Sequence, residues 1–409
     1  MKIGIDLRPL QNGHKYRGIG EVAKQVTNRV LAHGSRDNVE FIFYENDEDD
    51  PTLLLNLPEG LKYSTVKLGP NPENTGSSQT KYQKLRRAYA DLYGSPIKDA
   101  SKSDAFLQYD FAAGIPKGTK TLLVKHDLIP YIFWDKYFES AWVPFKNKAA
   151  RTTFRTLFAN YKFMRLLRRS LKSAYVIATV SESTKNDIEK YFKVKPSKIK
   201  VAKLGVAVEP AKTNDIDRRD EMPTKPYLLF VGAGDARRRV DDLVAAFNNL
   251  RAAGSDIQLV LVGENFKSPH QIPNQLVRSE VLKSSYKRDI LTLGYVDDET
   301  KQQLFKNALA YVYPTKYEGF GIPILESMLM ECPVIVYKNS STYEVGGDHA
   351  TYAKDWQSIV EEVKKLIDEP FESRRTRVVE AKKYAEQFTW DKTANVIYNE
   401  LITIANSGR

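Results

Sequence analysis

Short apolar runs alternate with helical patterns along the whole chain, and this alternation limits its fold more than any other feature. In the first half the runs fall near 3–6, 40–44, 105–109, 121–125, 176–180 and 200–202. In the second half they fall near 227–231, 258–262, 290–293, 310–313 and 333–336. Runs this short and continuous suit strands buried on both faces, joined by helical crossovers. The fold class predicted is therefore α/β with parallel sheets, and each half reads as a doubly wound unit. A length of 409 residues allows two or three such units, each with its own core. Between the halves, 209–226 is polar and charged with three prolines and reads as a linker.

Composition excludes several classes. The single cysteine, Cys332, forbids an internal disulfide and is expected to be buried and inert. No run approaches 18 apolar residues, so no transmembrane helix is expected. The opening Met1-Lys2-Ile3-Gly4-Ile5-Asp6 reads as a first strand, not a signal peptide, so a cytoplasmic protein is expected. The net charge of +11 is uneven: residues 1–208 hold 35 Lys+Arg against 21 Asp+Glu, and residues 209–409 hold 27 against 30. The basic balance of the first half points to an acidic partner, or to a solvated basic surface.

The densest chemical signal is Glu318-Gly319-Phe320-Gly321-Ile322-Pro323-Ile324-Leu325-Glu326, which follows an apolar run ending at Pro314. Gly319 and Gly321 let backbone approach a ligand closely, and Pro323 suits the first turn of a helix. A strand, a glycine loop and a helix N-terminus together make an anion site. The flanking carboxylates Glu318 and Glu326 serve better on hydroxyls, so the ligand expected bears both phosphate and hydroxyls, as a nucleotide sugar does. The bland alternative is a loop that only turns the chain.

Phe230-Val231-Gly232-Ala233-Gly234-Asp235 also leaves a strand through glycines, and Arg237-Arg238-Arg239 follows. Guanidinium forks bind phosphate oxygens bidentately, so the run suits a diphosphate. Its alternative is a solvated run paired with Asp241 and Asp242. In the first half, the glycines of Tyr16-Arg17-Gly18-Ile19-Gly20-Glu21 open a helical pattern at Val22, Val26 and Val30. His126-Asp127 follows the run 121–125, where the functional groups of such sheets collect; alternatively His126 is a loop histidine. Ser181 reads as a helix N-cap. The acidic pairs Asp47/Asp49 and Asp215/Asp217 read as solvated loops, and no metal site is predicted.

Segment 140–181 holds nine basic residues and no acid. At about 100° per residue, Arg151, Arg155, Lys162, Arg165, Arg169 and Lys172 share one face, with Phe154, Leu157, Tyr161, Met164 and Leu171 on the adjacent one. Such a helix suits an anionic membrane surface, or simply one face in the core and one in water.

With these motifs in order, the second half resembles a retaining glycosyltransferase of family 4. The pieces are Val231-Gly232, Arg237-Arg238-Arg239, Leu261-Val262-Gly263, Leu293-Gly294-Tyr295-Val296, Glu318-Gly319-Phe320-Gly321-Ile322-Pro323 with Glu326, and Ser341 with Glu344-Val345-Gly346-Gly347-Asp348. The first half matches more loosely, through 17–20, 126–130 and 180–183, and is similar to bacterial mannosyltransferases of polysaccharide assembly. Segment 69–103 is unmatched. The resemblance implies the GT-B fold, two facing Rossmann-like domains with the active site in the cleft between them. It implies domains at 1–208 and 227–386, and a last segment 387–409 returning to the first through Phe388-Thr389-Trp390. It implies that Glu318 contacts the donor sugar, Glu326 the ribose, and Arg237 and Arg238 the diphosphate. Where the family often has lysine, this chain has Arg238. Tyr295 and Val296 would line the base pocket, with Gly232, Gly319, Phe320, Gly321 and Ile322 around the donor. Gly18 and Gly20 would face the diphosphate from the first domain, with His126 beside the sugar.

The activity implied is retaining transfer of a hexose, best fitted by mannose from GDP-mannose, to a glycan or lipid-linked acceptor. No obligatory cofactor is expected beyond the nucleotide diphosphate sugar as donor, and no nucleic acid partner. Its place would be cytoplasmic, peripheral at the inner face of the membrane. An inactive nucleotide-sugar or glycan-binding protein on this fold, or a sugar epimerase, are the alternatives.

Overall fold

The computed structural model describes residues 1–11, 15, 18–47, 49–69, 97–109, 114–133, 150–207 and 222–407, with 150–160 as backbone only. It forms two compact units, Met1–Gly205 with Trp390–Arg409, and Val206–Thr389. Residues 208–221, with Asp215 and Asp217, and 70–96 lie outside the described residues, as do Tyr16 and Arg17.

The first unit is a seven-stranded parallel sheet. Its strands are β1 (Lys2–Asp6), β2 (Glu40–Glu45), β3 (Tyr63–Lys67), β4 (Ala105–Tyr109), β5 (Lys120–Lys125), β6 (Val176–Thr179) and β7 (Ile199–Val201), in the order β3-β2-β1-β4-β5-β6-β7. The helix Gly18–Arg36 buries Val22, Val26 and Val30, the expected i, i+4, i+8 stripe. The helix Trp390–Asn406 lies along it and buries Ile397, Leu401 and Ile404. Tyr398 of that helix stacks on His33, ring centroids 5.2 Å apart, and its hydroxyl donates to Asp37 at 2.6 Å. These contacts make the last helix part of the first unit although the second unit separates them in sequence.

The second unit holds a six-stranded parallel sheet of β8 (Tyr227–Val231), β9 (Gln258–Val262), β10 (Ile290–Gly294), β11 (Ala310–Tyr313), β12 (Val334–Tyr337) and β13 (Thr351–Ala353), in the order β10-β9-β8-β11-β12-β13. The order reverses between β8 and β11, and between β1 and β4 in the first sheet. A crevice opens at such a point, beyond the carboxyl ends of the strands, because successive crossovers leave to opposite faces.

Two edge strands, β3 and β13, are not visible as apolar runs. β3 (Tyr-Ser-Thr-Val-Lys) is mostly exposed, and β13 has only three residues. An edge strand needs less apolar surface than a central one and so leaves a weaker pattern.

The basic helix is real, Ala150–Ser173. Lys162, Arg165, Arg168, Arg169 and Lys172 are exposed, while Leu167 and Leu171 enter the core under β5 and β6. Tyr161, expected on the apolar face, is instead 62% exposed, because the inward stripe runs through the partly buried Phe163 to Leu167 and Leu171. Arg151, Phe154, Arg155 and Leu157 have side chains outside the described residues. No described helix is long and apolar enough to cross a membrane.

Ser181 is the N-cap of the helix Glu182–Phe192, its Oγ accepting from the Thr184 backbone N–H at 3.0 Å. Ser181→Ala is expected to cost about 0.5–2 kcal/mol. Urea unfolding followed by circular dichroism would check this, and an unchanged midpoint would refute the cap's importance.

Candidate functional site

The second unit's crevice is built by two loops. One follows β8, from Gly232 to Arg239; the other follows β11, from Pro314 to Gly321. Glycines end three adjacent strands here, Gly232, Gly263 and Gly294, all with positive φ. At Gly263 (φ +141°) a Cβ would sit 2.1 Å from the Gly232 carbonyl oxygen. At Gly232 it would sit 2.2 Å from an Nη of Arg238. No other residue lets these backbones approach so closely.

Glu318 is the centre. Its Oε1 accepts from the Tyr313 hydroxyl at 2.5 Å, from the Thr315 hydroxyl at 3.1 Å and from an Nη of Arg237. Arg238 Nε lies 3.4 Å away. The loop after β12 fixes its backbone: the Glu318 N–H donates to Ser340 Oγ at 2.9 Å, and Ser341 Oγ donates to the carbonyls of Glu318 and Phe320 at 2.9 and 2.8 Å. Ser340 holds φ +40°, a strained conformation for a non-glycine residue. Burial pushes the Glu318 carboxyl up, but the Arg237 and Arg238 guanidiniums and the Tyr313 hydroxyl outweigh it and hold it below the ordinary range. Burial pushes the Tyr313 phenol well up, so it stays a donor.

The three arginines divide. Arg239 turns away to pair with Asp241 and Asp242, as in the solvated alternative, and Tyr337 donates to the same Asp242 at 2.7 Å. Arg237 is buried, donating to the Tyr317 carbonyl at 2.7 Å as well as to Glu318. Arg238 lies over the Tyr313 ring, 5.7 Å from its centroid, and its polar contacts are all 3.4 Å or longer. Gly321, at φ +106°, opens the helix Ile322–Leu329, with Pro323 in its first turn and no side chain capping it. An uncapped N-terminus presents N–H groups and a positive dipole end to an anion.

Of the other expected site residues, Glu326 pairs with Lys301 at 3.2 Å. Burial works against the Lys301 ammonium, but Glu326 and Asp298 outweigh it and raise its pKa. Past β10, Val296 turns into the core while Tyr295 is 67% exposed. Phe320 is buried, its ring 6.1 Å from that of Phe388. Gly18, Gly20 and His126 belong to the first unit. Gly18 is the first residue of its helix and Gly20 is buried in the first turn. His126 is buried just past β5, its carbonyl accepting from Thr184 Oγ1 at 3.2 Å. Cys332 is buried, its thiol pushed up by burial to about 12. Tyr313, Thr315 and Asp235 were not expected at the site. The clue was available: polar groups at the carboxyl ends of buried strands. Among the described residues, no group of three or more His, Cys, Asp or Glu could hold a metal ion.

Residues 212–384 match the family Glycosyl transferases group 1. The second unit thus resembles the group 1 glycosyl transferases. It is 28% identical over 242 residues to O-antigen chain mannosyltransferase B of Escherichia coli, covering 57% of this chain and 62% of that one. It is 25% identical over 259 residues to the O-antigen chain mannosyltransferase RfbU of Salmonella typhimurium, covering 62% and 64%. The matches thus span less than two thirds of these relatives. In structure it resembles Anabaena Alr3699/HepE in complex with UDP and glucose, with a TM-score of 0.61 at 15% identity over 100% of both chains. The fold is GT-B, two Rossmann-like domains.

Removing Glu318 leaves the buried Arg237 and the partly exposed Arg238 guanidiniums short of countercharge. Glu318→Ala is expected to destabilise the second unit by about 3–5 kcal/mol, so transfer assays are better read on Glu318→Gln. Because the folded pKa is depressed below the ordinary 4.5, the stabilisation is complete above that value and is lost as pH falls through the folded pKa. Unfolding free energy measured between pH 3 and 7 should fall less steeply on the acid side in Glu318→Gln; identical slopes would refute the ionised pairing.

Proposed function

We propose that this chain transfers a hexose from a nucleotide diphosphate sugar to a glycan or lipid-linked acceptor, with retention of anomeric configuration. One observation carries the reading: a buried carboxylate, Glu318, fixed at the mouth of a glycine loop beside Arg238 and an uncapped helix N-terminus. The arginine and the helix end suit a departing diphosphate, and the carboxylate suits the hydroxyls of the sugar it leaves.

In the proposed step the acceptor hydroxyl attacks the anomeric carbon on the face the diphosphate leaves. The carbon–phosphate-oxygen bond breaks, and that oxygen takes the acceptor's proton. The protein then needs no nucleophile of its own; it supplies position and electrostatic stabilisation. His126 would stand beside the sugar, Glu326 on the ribose and Tyr295 at the base. Mannose is the favoured sugar and GDP-mannose the favoured donor, supported by the two mannosyltransferase relatives. In this reading Arg238 and the helix end meet the diphosphate, without an obligatory cation.

Arg238→Ala is expected to weaken donor binding by about 1.5–3 kcal/mol, the value of a charged hydrogen bond. Calorimetric titration with GDP-mannose, UDP-glucose, UDP-galactose and UDP-N-acetylglucosamine checks both the donor and the variant. Binding of none would overturn the proposed function. Transfer should also survive EDTA; complete loss restored by Mg²⁺ or Mn²⁺ would refute the cation-free step.

The exposed basic residues Lys162, Arg165, Arg168, Arg169 and Lys172 suit an anionic membrane surface, where a lipid-linked acceptor would lie. Co-sedimentation should show binding to anionic vesicles that fades with salt and is absent with neutral ones. Equal binding to both, or none at low salt, would leave the stripe as an ordinary solvated face.

A further inference from the structure

Asp235 is a charged residue of the glycine loop that the proposed chemistry does not use. Its Oδ1 lies 3.1 Å from Arg237 Nε and its Oδ2 3.6 Å from Arg238 Nε. With Glu318 it completes a square of two carboxylates and two guanidiniums whose formal charges cancel. The loop is held to this shape: the Arg238 N–H donates to the Asp235 carbonyl at 3.0 Å, and the Gly234 N–H to Asn265 Oδ1 at 3.0 Å. Asp235 is 31% exposed at its side chain, the most open member of the square. A carboxylate there has a cost for any anion approaching Arg238, because two negative groups then share one guanidinium.

Resting on the proposed donor chemistry, we propose that Asp235 is a counter-charge that weakens retention of the nucleoside diphosphate product. Transfer leaves a terminal phosphate, so the product carries more negative charge than the same diphosphate esterified to the sugar. A site with two uncompensated arginines would hold that product most tightly when it must leave. Asp235 neutralises one of them in advance, and Glu318 the other. Asp235 touches neither sugar nor acceptor in this scheme; it acts through Arg237 and Arg238 as a positioning residue.

The prediction has a sign that a structural role would not give. Asp235→Asn keeps the shape and removes the charge. It should tighten binding of GDP or UDP, whichever the wild type binds, by about tenfold, a reasonable size for one unit charge a few ångströms away in a partly screened site. The gain should shrink as salt rises. In steady state, kcat should fall with a lower KM, and added nucleoside diphosphate should inhibit more strongly. Asp235→Glu should behave like wild type, and Asp235→Ser gives a second uncharged variant if Asp235→Asn does not fold. Equal or weaker binding in the uncharged variants, whether or not their melting temperature drops, overturns the counter-charge. If wild-type protein binds neither GDP nor UDP, the donor reading fails and takes this inference with it. Wild-type binding with no tightening in the variants sinks the counter-charge alone.

Discussion

A carboxylate taken out of water must be met by donors, and the second unit is organised around meeting one. Glu318 lies in the loop after β11 with a phenol, a hydroxyl and a guanidinium on a single oxygen. Each donor comes from a different place: Tyr313 from the strand, Thr315 from the turn, and Arg237 from the loop after β8. The pairing therefore ties β8 to β11 across the point where strand order reverses. Leaving such a group unpartnered would cost several kcal/mol, so loop shape and carboxylate charge are fixed together.

The same arrangement separates the arginines by how firmly each is held. Arg237 is held by short contacts and buried; Arg238 is held by long ones and lies over an aromatic ring. A side chain already committed to a carboxylate and a carbonyl has little left for a ligand. One with only long contacts can turn to a phosphate without breaking a strong bond. Loose holding of Arg238 suits the phosphate contact proposed for it, and tight holding of Arg237 fixes the loop beside it.

Glycines play a comparable part in the backbone. Gly232 and Gly263 stand so close that a Cβ at Gly263 would collide with a carbonyl. This keeps the carboxyl ends of β8 and β9 open to a ligand and leaves room for Arg238. Ser340 accepts a left-handed conformation nearby, and it is the residue whose hydroxyl receives the Glu318 N–H. Strain at this position serves the placement of the carboxylate.

The sequence by itself determined the α/β class, the central strands of both sheets, the helix N-cap at Ser181 and the loops that carry charge. Each is a local pattern: a buried strand is an apolar run, and a cap or glycine turn is a few adjacent residues. Edge strands β3 and β13 were not legible, because a half-exposed strand carries no such run. Nor could the sequence say that Arg239 pairs with Asp241 and Asp242 while Arg237 and Arg238 face Glu318. Those arginines are adjacent in the chain and chemically alike, and only the left-handed turn at Arg239 (φ +46°) sends them apart. Tyr313, Thr315 and Asp235 likewise became part of one site through the parallel pairing of β8 with β11, which brings residues about 80 positions apart to a single crevice. Contacts of that range depend on sheet order, and sheet order is decided by the packing of the whole unit.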